Sequence, residues 1–184
     1  MTSLKITSPS STDFSEIKSL IRDIPDFPKP GIIFKDITPI LKDKAAFKKV
    51  VDAIIRSLSG KKIDYVIGIE SRGFIFSPAV AYQLNVGFIP VRKSGKLPYK
   101  TEKMAYSLEY GEAVLEIHQD ALEPGSSVVI IDDLLATGGT ALAASRLVEK
   151  LGGKVVEVAF IVELAFLKGR ELLKPREVLS LIQY

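Results

Sequence analysis

The sequence predicts an α/β domain built on a mainly parallel sheet flanked by helices. Three observations carry this. Short β-branched apolar runs recur along the chain, and segments with helical spacing of apolar residues separate them. The run Val128–Ile131 is apolar at every position, as expected of a strand buried on both faces. Glycine and proline mark most of the junctions.

The elements follow in order. Residues 1–12 are rich in Ser and Thr and are expected to be a flexible tail, leaving 13–184 as a single domain. Asp13 to Glu16 suits a helix start, with Phe14, Ile17, Leu20 and Ile21 on one face. Pro25, Pro28, Pro30 and Gly31 end that helix and impose an irregular stretch, and a strand is expected at Ile32–Ile37. Ala46, Phe47, Val50, Val51, Ile54, Ile55 and Leu58 keep helical spacing up to Gly60. A strand at Tyr65–Ile69, a helix at Phe74–Leu84 and a strand at Val86–Val91 come next. Arg92–Lys103 is polar, contains Gly95 and Pro98, and reads as a mobile loop. Tyr106–Tyr110 and Ala113–His118 read as paired strands around Gly111. After Val128–Ile131 the chain predicts a helix at Ala141–Leu151, a strand at Val155–Val162, a short helix at Leu167–Lys174 and a strand at Val178–Ile182.

Composition narrows the function classes. A chain of 184 residues, 47% hydrophobic and 26% charged, suits one domain with a sizeable core. The net charge of +3 does not demand nucleic acid; a site for a polyanionic small molecule explains it equally well. With no cysteine there is no disulfide, no thiol nucleophile and no Cys-based zinc site. No N-terminal apolar stretch reads as a signal peptide and no run is long enough to span a bilayer, so no membrane partner and a cytoplasmic protein are expected.

The chemistry concentrates in Val128–Ala144. A buried strand ends in Asp132 and Asp133; a turn of small residues, Ala136, Thr137, Gly138, Gly139 and Thr140, leads straight into a helix. Ligands of open α/β sheets bind beyond the carboxyl ends of the strands. Neighbouring strand residues point to opposite faces, so the two aspartates need not share one role. Either can accept hydrogen bonds from sugar hydroxyls or help hold Mg2+. The glycines permit positive φ and close backbone approach, and the amides of the following helix favour an anion. Thr137 and Thr140 offer hydroxyls and N-caps. Gly-Gly-Thr alone is a common turn. The absence of a Gly-Lys-Ser/Thr ending and of G-x-G-x-x-G argues against nucleoside-triphosphate loops and dinucleotide sites. Ser71 and Arg72 lie in a second strand-to-helix turn, where an Arg fork suits phosphate oxygens. Arg92, Lys93 and Lys96 form a basic cluster that is either a solvated loop or a clamp for a diphosphate.

The segment VVIIDDLLATGGTA (128–141) resembles the phosphoribosyl-diphosphate (PRPP) binding motif of the type I phosphoribosyltransferases. The segments IPDFPKPGIIFKDITPIL (24–41), IESRGFIF (69–76), VRKSGKLP (91–98), YSLEYG (106–111) and VELAFLKGRE (162–171) extend the resemblance over most of the chain and narrow it to members that act on adenine. It implies that a small N-terminal hood, to which about 24–41 contributes, covers the carboxyl edge of the sheet. It implies the reaction adenine plus PRPP to AMP plus diphosphate, a purine-salvage step, with Mg2+ carried mainly on PRPP near Asp132 and Asp133 and no firm protein ligand. A homodimer is implied too.

The resemblance also distributes roles. Ala136, Thr137, Gly138, Gly139 and Thr140 hold the 5-phosphate. Ser71, Arg72, Arg92, Lys93 and Lys96 hold the diphosphate, with a non-proline cis peptide at Glu70–Ser71. Glu109 is the acid/base near purine N7, and Tyr110 covers the site. Main-chain groups of Ile33 read adenine, Leu164 stacks on it, and Lys35 stands where many members carry Arg, a point charge in place of a bidentate fork. Asp132 and Asp133 orient the ribose hydroxyls. Phe34 is equally well plain core, and the lone His118 reads as structural or surface. Two other readings remain: a PRPP-sensing regulator on the same fold, which would need a DNA-binding segment not evident here, and a sister enzyme acting on another base.

Overall fold

A computed structural model describes residues 14–107 and 112–184. By internal contacts the chain divides into two compact units, Met1–Lys49 and Val50–Tyr184.

The first unit contains helix α1 (Ser15–Leu20), strands β1 (Arg22–Ile24) and β2 (Phe34–Asp36), helix α2 (Thr38–Lys42) and the start of helix α3 (Lys44–Ser57). Ile17 and Ile21 are buried as the spacing of α1 predicts, whereas Asp13 lies outside the described residues. β1 and β2 pair antiparallel with Arg22 opposite Asp36 and Asp23 opposite Lys35. Both cross-strand pairs are ionic, Arg22 Nη2 to Asp36 Oδ2 at 2.5 Å and Lys35 Nζ to Asp23 Oδ1 at 2.7 Å, so opposite charges favour this register. The strand expected at Ile32–Ile37 is therefore shorter, and Ile33 stands outside it, 56% exposed.

The second unit holds the remaining strands: β3 (Tyr65–Ile69), β4 (Gly87–Lys93), β5 (Thr101–Ser107), β6 (Glu112–His118), β7 (Ser127–Leu135), β8 (Lys154–Glu163) and β9 (Glu177–Gln183). They form one seven-stranded sheet in the order β5-β6-β4-β3-β7-β8-β9. Pairing is parallel from β4 through β9 and antiparallel at β4–β6 and β5–β6. Helix α5 (Gly139–Lys150) buries Ala143, Ala144 and Leu147 in a core with Ile67, Ile69, Val128 and Ile130. Strand alternation turns Val66, Gly68, Val129 and Ile131 to the other face, where helix α4 (Gly73–Leu84) packs. Gly68 allows this packing, since a Cβ there would strike Ser77 Oγ. A 3-10 turn (Ala165–Leu167) and helix α6 (Gly169–Leu172) connect β8 to β9.

The α/β class and parallel sheet agree with the sequence reading. Two further expectations change. The loop expected at Arg92–Lys103 shrinks to Ser94–Lys100, because Arg92 and Lys93 extend β4 and Thr101–Lys103 open β5 against β6. The acid pair does not end its strand either: β7 continues to Leu135, with Leu134 and Leu135 paired to Val162 and Glu163 of β8. No described helix is long and apolar enough to cross a membrane.

Candidate active site

Parallel register sets the carboxyl ends of β3, β4, β7 and β8 side by side, so the segments that leave them share one edge of the sheet. After β7, Gly138 takes φ 87°, a left-handed conformation suited to glycine, and α5 begins at the next residue. No side chain caps α5; Gly138 occupies the N-cap, so neither Thr137 nor Thr140 takes the capping role anticipated for it. The first-turn amides are left for an acceptor from outside the helix. Beside them lies a cavity of about 60 Å³, lined by Asp132, Leu134, Leu135, Ala136, Thr137, Gly138, Thr140, Ala141 and Phe160. That space suits a few waters or one tetrahedral anion.

The requirement for glycine at position 138 has a backbone cause. A Cβ there would come within 2.5 Å of Gly169 O, so space beside a phosphate is not the only demand on this residue. Gly73 is constrained in the same manner, because a Cβ would lie 2.7 Å from Ile131 O. Its absence brings the start of α4, and with it Arg72, against β7.

The two aspartates have different partners, as opposite-facing neighbours should. Asp133, 6% exposed, is ion-paired through Oδ2 with Arg72 Nε. Asp132 lines the cavity and accepts the Asp133 amide at 2.9 Å. Burial, and then the adjacent Asp133 charge, push the Asp132 carboxyl well above the ordinary aspartate range. Arg72 thus stands by the acid pair, joined to one of its members.

The peptide between Glu70 and Ser71 is cis, as the resemblance implies, and Ser71 is exposed. Glu70 gathers the basic cluster. It pairs with Lys96 Nζ, accepts Arg92 Nε at 3.2 Å and Arg92 Nη2 at 3.3 Å, and takes the Lys93 amide at 3.1 Å. Burial works to raise its carboxyl, but the Lys96 and Arg92 bonds outweigh burial and hold it at about 2. A second carboxylate lies beneath the same segment: Glu116 of β6, 1% exposed, accepts the amides of Lys96 at 2.9 Å and Leu97 at 3.0 Å. Neither Glu70 nor Glu116 stands out in the sequence, because nothing local distinguishes a strand-end or strand glutamate that organises a loop from one in solvent.

Leu164 follows β8 and donates its amide to Leu135 O at 2.9 Å. Ile33 and Lys35 belong to the first unit, where Lys35 is held by Asp23. Phe34 is half-buried and edge-on to Phe27 at 5.2 Å. His118 is half-buried by the Tyr99 ring. Glu109 and Tyr110 lie outside the described residues. Sequence reasoning passed over Gly169 and Arg170, which appeared only within the motif 162–171.

No cluster of three or more His, Cys, Asp or Glu able to hold a metal occurs among the described residues. Asp133 is committed to Arg72, and Asp132 is driven toward its neutral form. This donor set does not fit a protein-built Mg2+ cage.

An uncapped helix start, an acid pair and a basic strip thus lie along the carboxyl edge of the parallel sheet. Residues 38–182 match the phosphoribosyl transferase domain model, and the chain belongs to the phosphoribosyltransferase family. A relative from Acidobacterium capsulatum, an adenine phosphoribosyltransferase, is 56% identical over 174 residues, covering 95% of this chain and 96% of the relative. The crystal structure of adenine phosphoribosyltransferase from Thermoanaerobacter pseudethanolicus superposes with a TM-score of 0.91 at 53% identity, over 94% of this chain and 100% of that one. That of the Saccharomyces cerevisiae enzyme, complexed with an imino-altritol bisphosphate and adenine, gives 0.86 at 45% identity over 90% and 96%.

Proposed function

We infer that this chain is a pentosyltransferase that moves the 5-phosphoribosyl group of PRPP to N9 of adenine, giving AMP and diphosphate. The observation that carries this reading is the uncapped start of α5 behind Gly138, opening on a small cavity that Asp132 also lines. In the reaction the C1–O bond to diphosphate breaks with its electron pair, the N9–C1 bond forms, and the base gives up one proton. Positive charge gathers on the ribose ring as the bond breaks.

The proposed roles follow from what each group can do. Ala136–Thr140 grip the 5-phosphate through amides and hydroxyls, so that binding energy remote from the reacting bond fixes the ring. Asp132 and Asp133 hold the ribose hydroxyls, and a carboxylate there also favours the cationic ring. Ser71, Arg72, Arg92, Lys93 and Lys96 receive the diphosphate, and for Arg72, Arg92 and Lys96 this means exchanging a carboxylate partner for a phosphate one. Mg2+ would enter on the phosphate oxygens of PRPP and supply neutralising charge to the leaving group. Ile33 and Lys35 are proposed to read adenine and Leu164 to stack on it. Glu109 near N7 is the proposed recipient of the proton, with Tyr110 as cover. We also propose a cytoplasmic homodimer, which the family resemblance supports.

The deciding experiment is a panel of bases with PRPP. AMP should form from adenine, with no product from hypoxanthine, guanine, xanthine or orotate; product from another base at a comparable rate would overturn the assignment. Glu109→Ala should lower kcat about a hundredfold, roughly 3 kcal/mol of barrier, with little change in PRPP binding. Small, equal losses in both would remove Glu109 from the chemistry.

A further inference from the structure

Two stretches of bare backbone touch at the phosphate loop. A Cβ on Gly138 would meet Gly169 O at 2.5 Å, and a Cβ on Gly169 would collide with Ala136 O and lie 3.0 Å from the Gly138 amide nitrogen. The segment that carries Gly169 is fixed by its neighbour. Arg170 gives Nε to Glu163 Oε1 at 3.2 Å and Nη2 to Glu163 Oε2 at 2.5 Å, while Nη1 reaches Val178 O at 2.6 Å. Glu163 is 3% exposed and also accepts Ser180 Oγ and Gln183 Nε2. The residue after Glu163 is Leu164, whose amide binds Leu135 O immediately before the loop. The contacts therefore close a ring: Leu135 to Ala136–Gly138, to Gly169–Arg170, to Glu163–Leu164 and back.

We propose that Gly169 and Arg170 are positioning residues for the nucleotide, Gly169 buttressing the 5-phosphate loop by direct backbone packing and Arg170, locked to Glu163, setting that buttress and Leu164 as one unit. The inference rests on the phosphate-loop reading above. An amide cradle stabilises an anion only when its N–H groups are held in place beforehand, so a loosened buttress weakens substrate binding more than it slows the bound complex.

The test uses the full chain with Arg170→Ala, Arg170→Lys, Gly169→Ala and the exposed control Glu171→Ala. Steady-state constants and AMP affinity by calorimetry are measured on each. Arg170→Ala should raise KM for PRPP and Kd for AMP about tenfold while kcat stays within about threefold, as expected when ground-state and transition-state binding fall together. Arg170→Lys should recover only part, since it loses the two-pronged geometry. Gly169→Ala should shift the same constants further. Should Arg170→Ala fail to fold, Arg170→Lys and Glu163→Gln carry the same comparison. Constants within twofold of the control, or a lower Tm with KM and Kd unchanged, would overturn the proposal. Thr140→Val separates the two readings. If it leaves AMP affinity intact, the phosphate-loop assignment falls, and this inference with it. If it weakens AMP while the Arg170 and Gly169 variants do not, only the positioning role falls.

Discussion

Glu70, just past β3, and Asp132, within the neighbouring β7, are carboxylates whose proton affinities move in opposite directions. Glu70 is surrounded by Arg92, Lys96 and the Lys93 amide, and its value falls from 4.5 to about 2. Its charged form therefore stabilises the fold above the unfolded value, and that contribution disappears as pH drops from about 4.5 to about 2. Glu70→Gln should flatten stability across this acid window when unfolding is followed by denaturant titration at successive pH values; an unchanged slope would refute the ion-pair account. Asp132 is raised by burial and by Asp133, so folding disfavours its charged form. Its contribution is present at low pH and is lost as pH rises above the usual value of 3.8. Asp132→Asn should accordingly gain about 1 kcal/mol at neutral pH, a rise in Tm of roughly 2–4 °C for a domain of this size. The same change should lower kcat/KM at least about tenfold if the carboxylate serves the ribose. Differential scanning fluorimetry beside a rate assay checks both, and a Tm loss would contradict the burial argument.

At the scale of elements, the legible parts were those whose burial leaves a mark on sequence. β3, the Val128–Ile131 part of β7 and the Val158–Val162 part of β8 are buried and read as apolar runs; β3 has the predicted ends. The three-residue strands β1 and β2 carry no such run, since β1 is exposed and their register rests on charges found opposite one another only after folding. The start of β5 reads as loop because Thr101, Glu102 and Lys103 are polar and part-exposed at an edge of the sheet, where polar side chains guard against unwanted pairing. Gly73 shows how a junction can matter more than its flanking helix. Gly73→Ala should force α4 away from Ile131 O and cost about 1–3 kcal/mol, read as a lower Tm, with Arg72 displaced from Asp133. A Tm equal to that of the parent would show that the junction relaxes freely.

For the whole molecule, ligand and stability are linked by mass action. AMP held at a hundred times its Kd should add about 2.7 kcal/mol to the folded state, which raises Tm by roughly 5–11 °C. Adenosine, lacking the phosphate, should give much less; equal shifts would remove the phosphate cradle from its central place. The strand, acid pair and amide loop were readable because they are consecutive in the chain. The partners of the basic strip were not, since Glu70 and Glu116 reach Lys96 across sequence gaps of 26 and 20 residues. Gly169 was hidden for the same reason: its reason for lacking a side chain lies about thirty residues earlier, at Ala136 and Gly138. Such relations become visible only when the sheet aligns its strand ends.

The carboxylates that occupy the basic strip also bear on how a guest arrives. With Glu70 already seated among Arg92, Lys96 and the Lys93 amide, that strip presents a muted field to the surroundings. For the proposed diphosphate, capture there is a local trade of one anion for another. A newcomer with a single phosphoryl group has little to offer in that trade, whereas a chelating pair of them can replace several bonds at once.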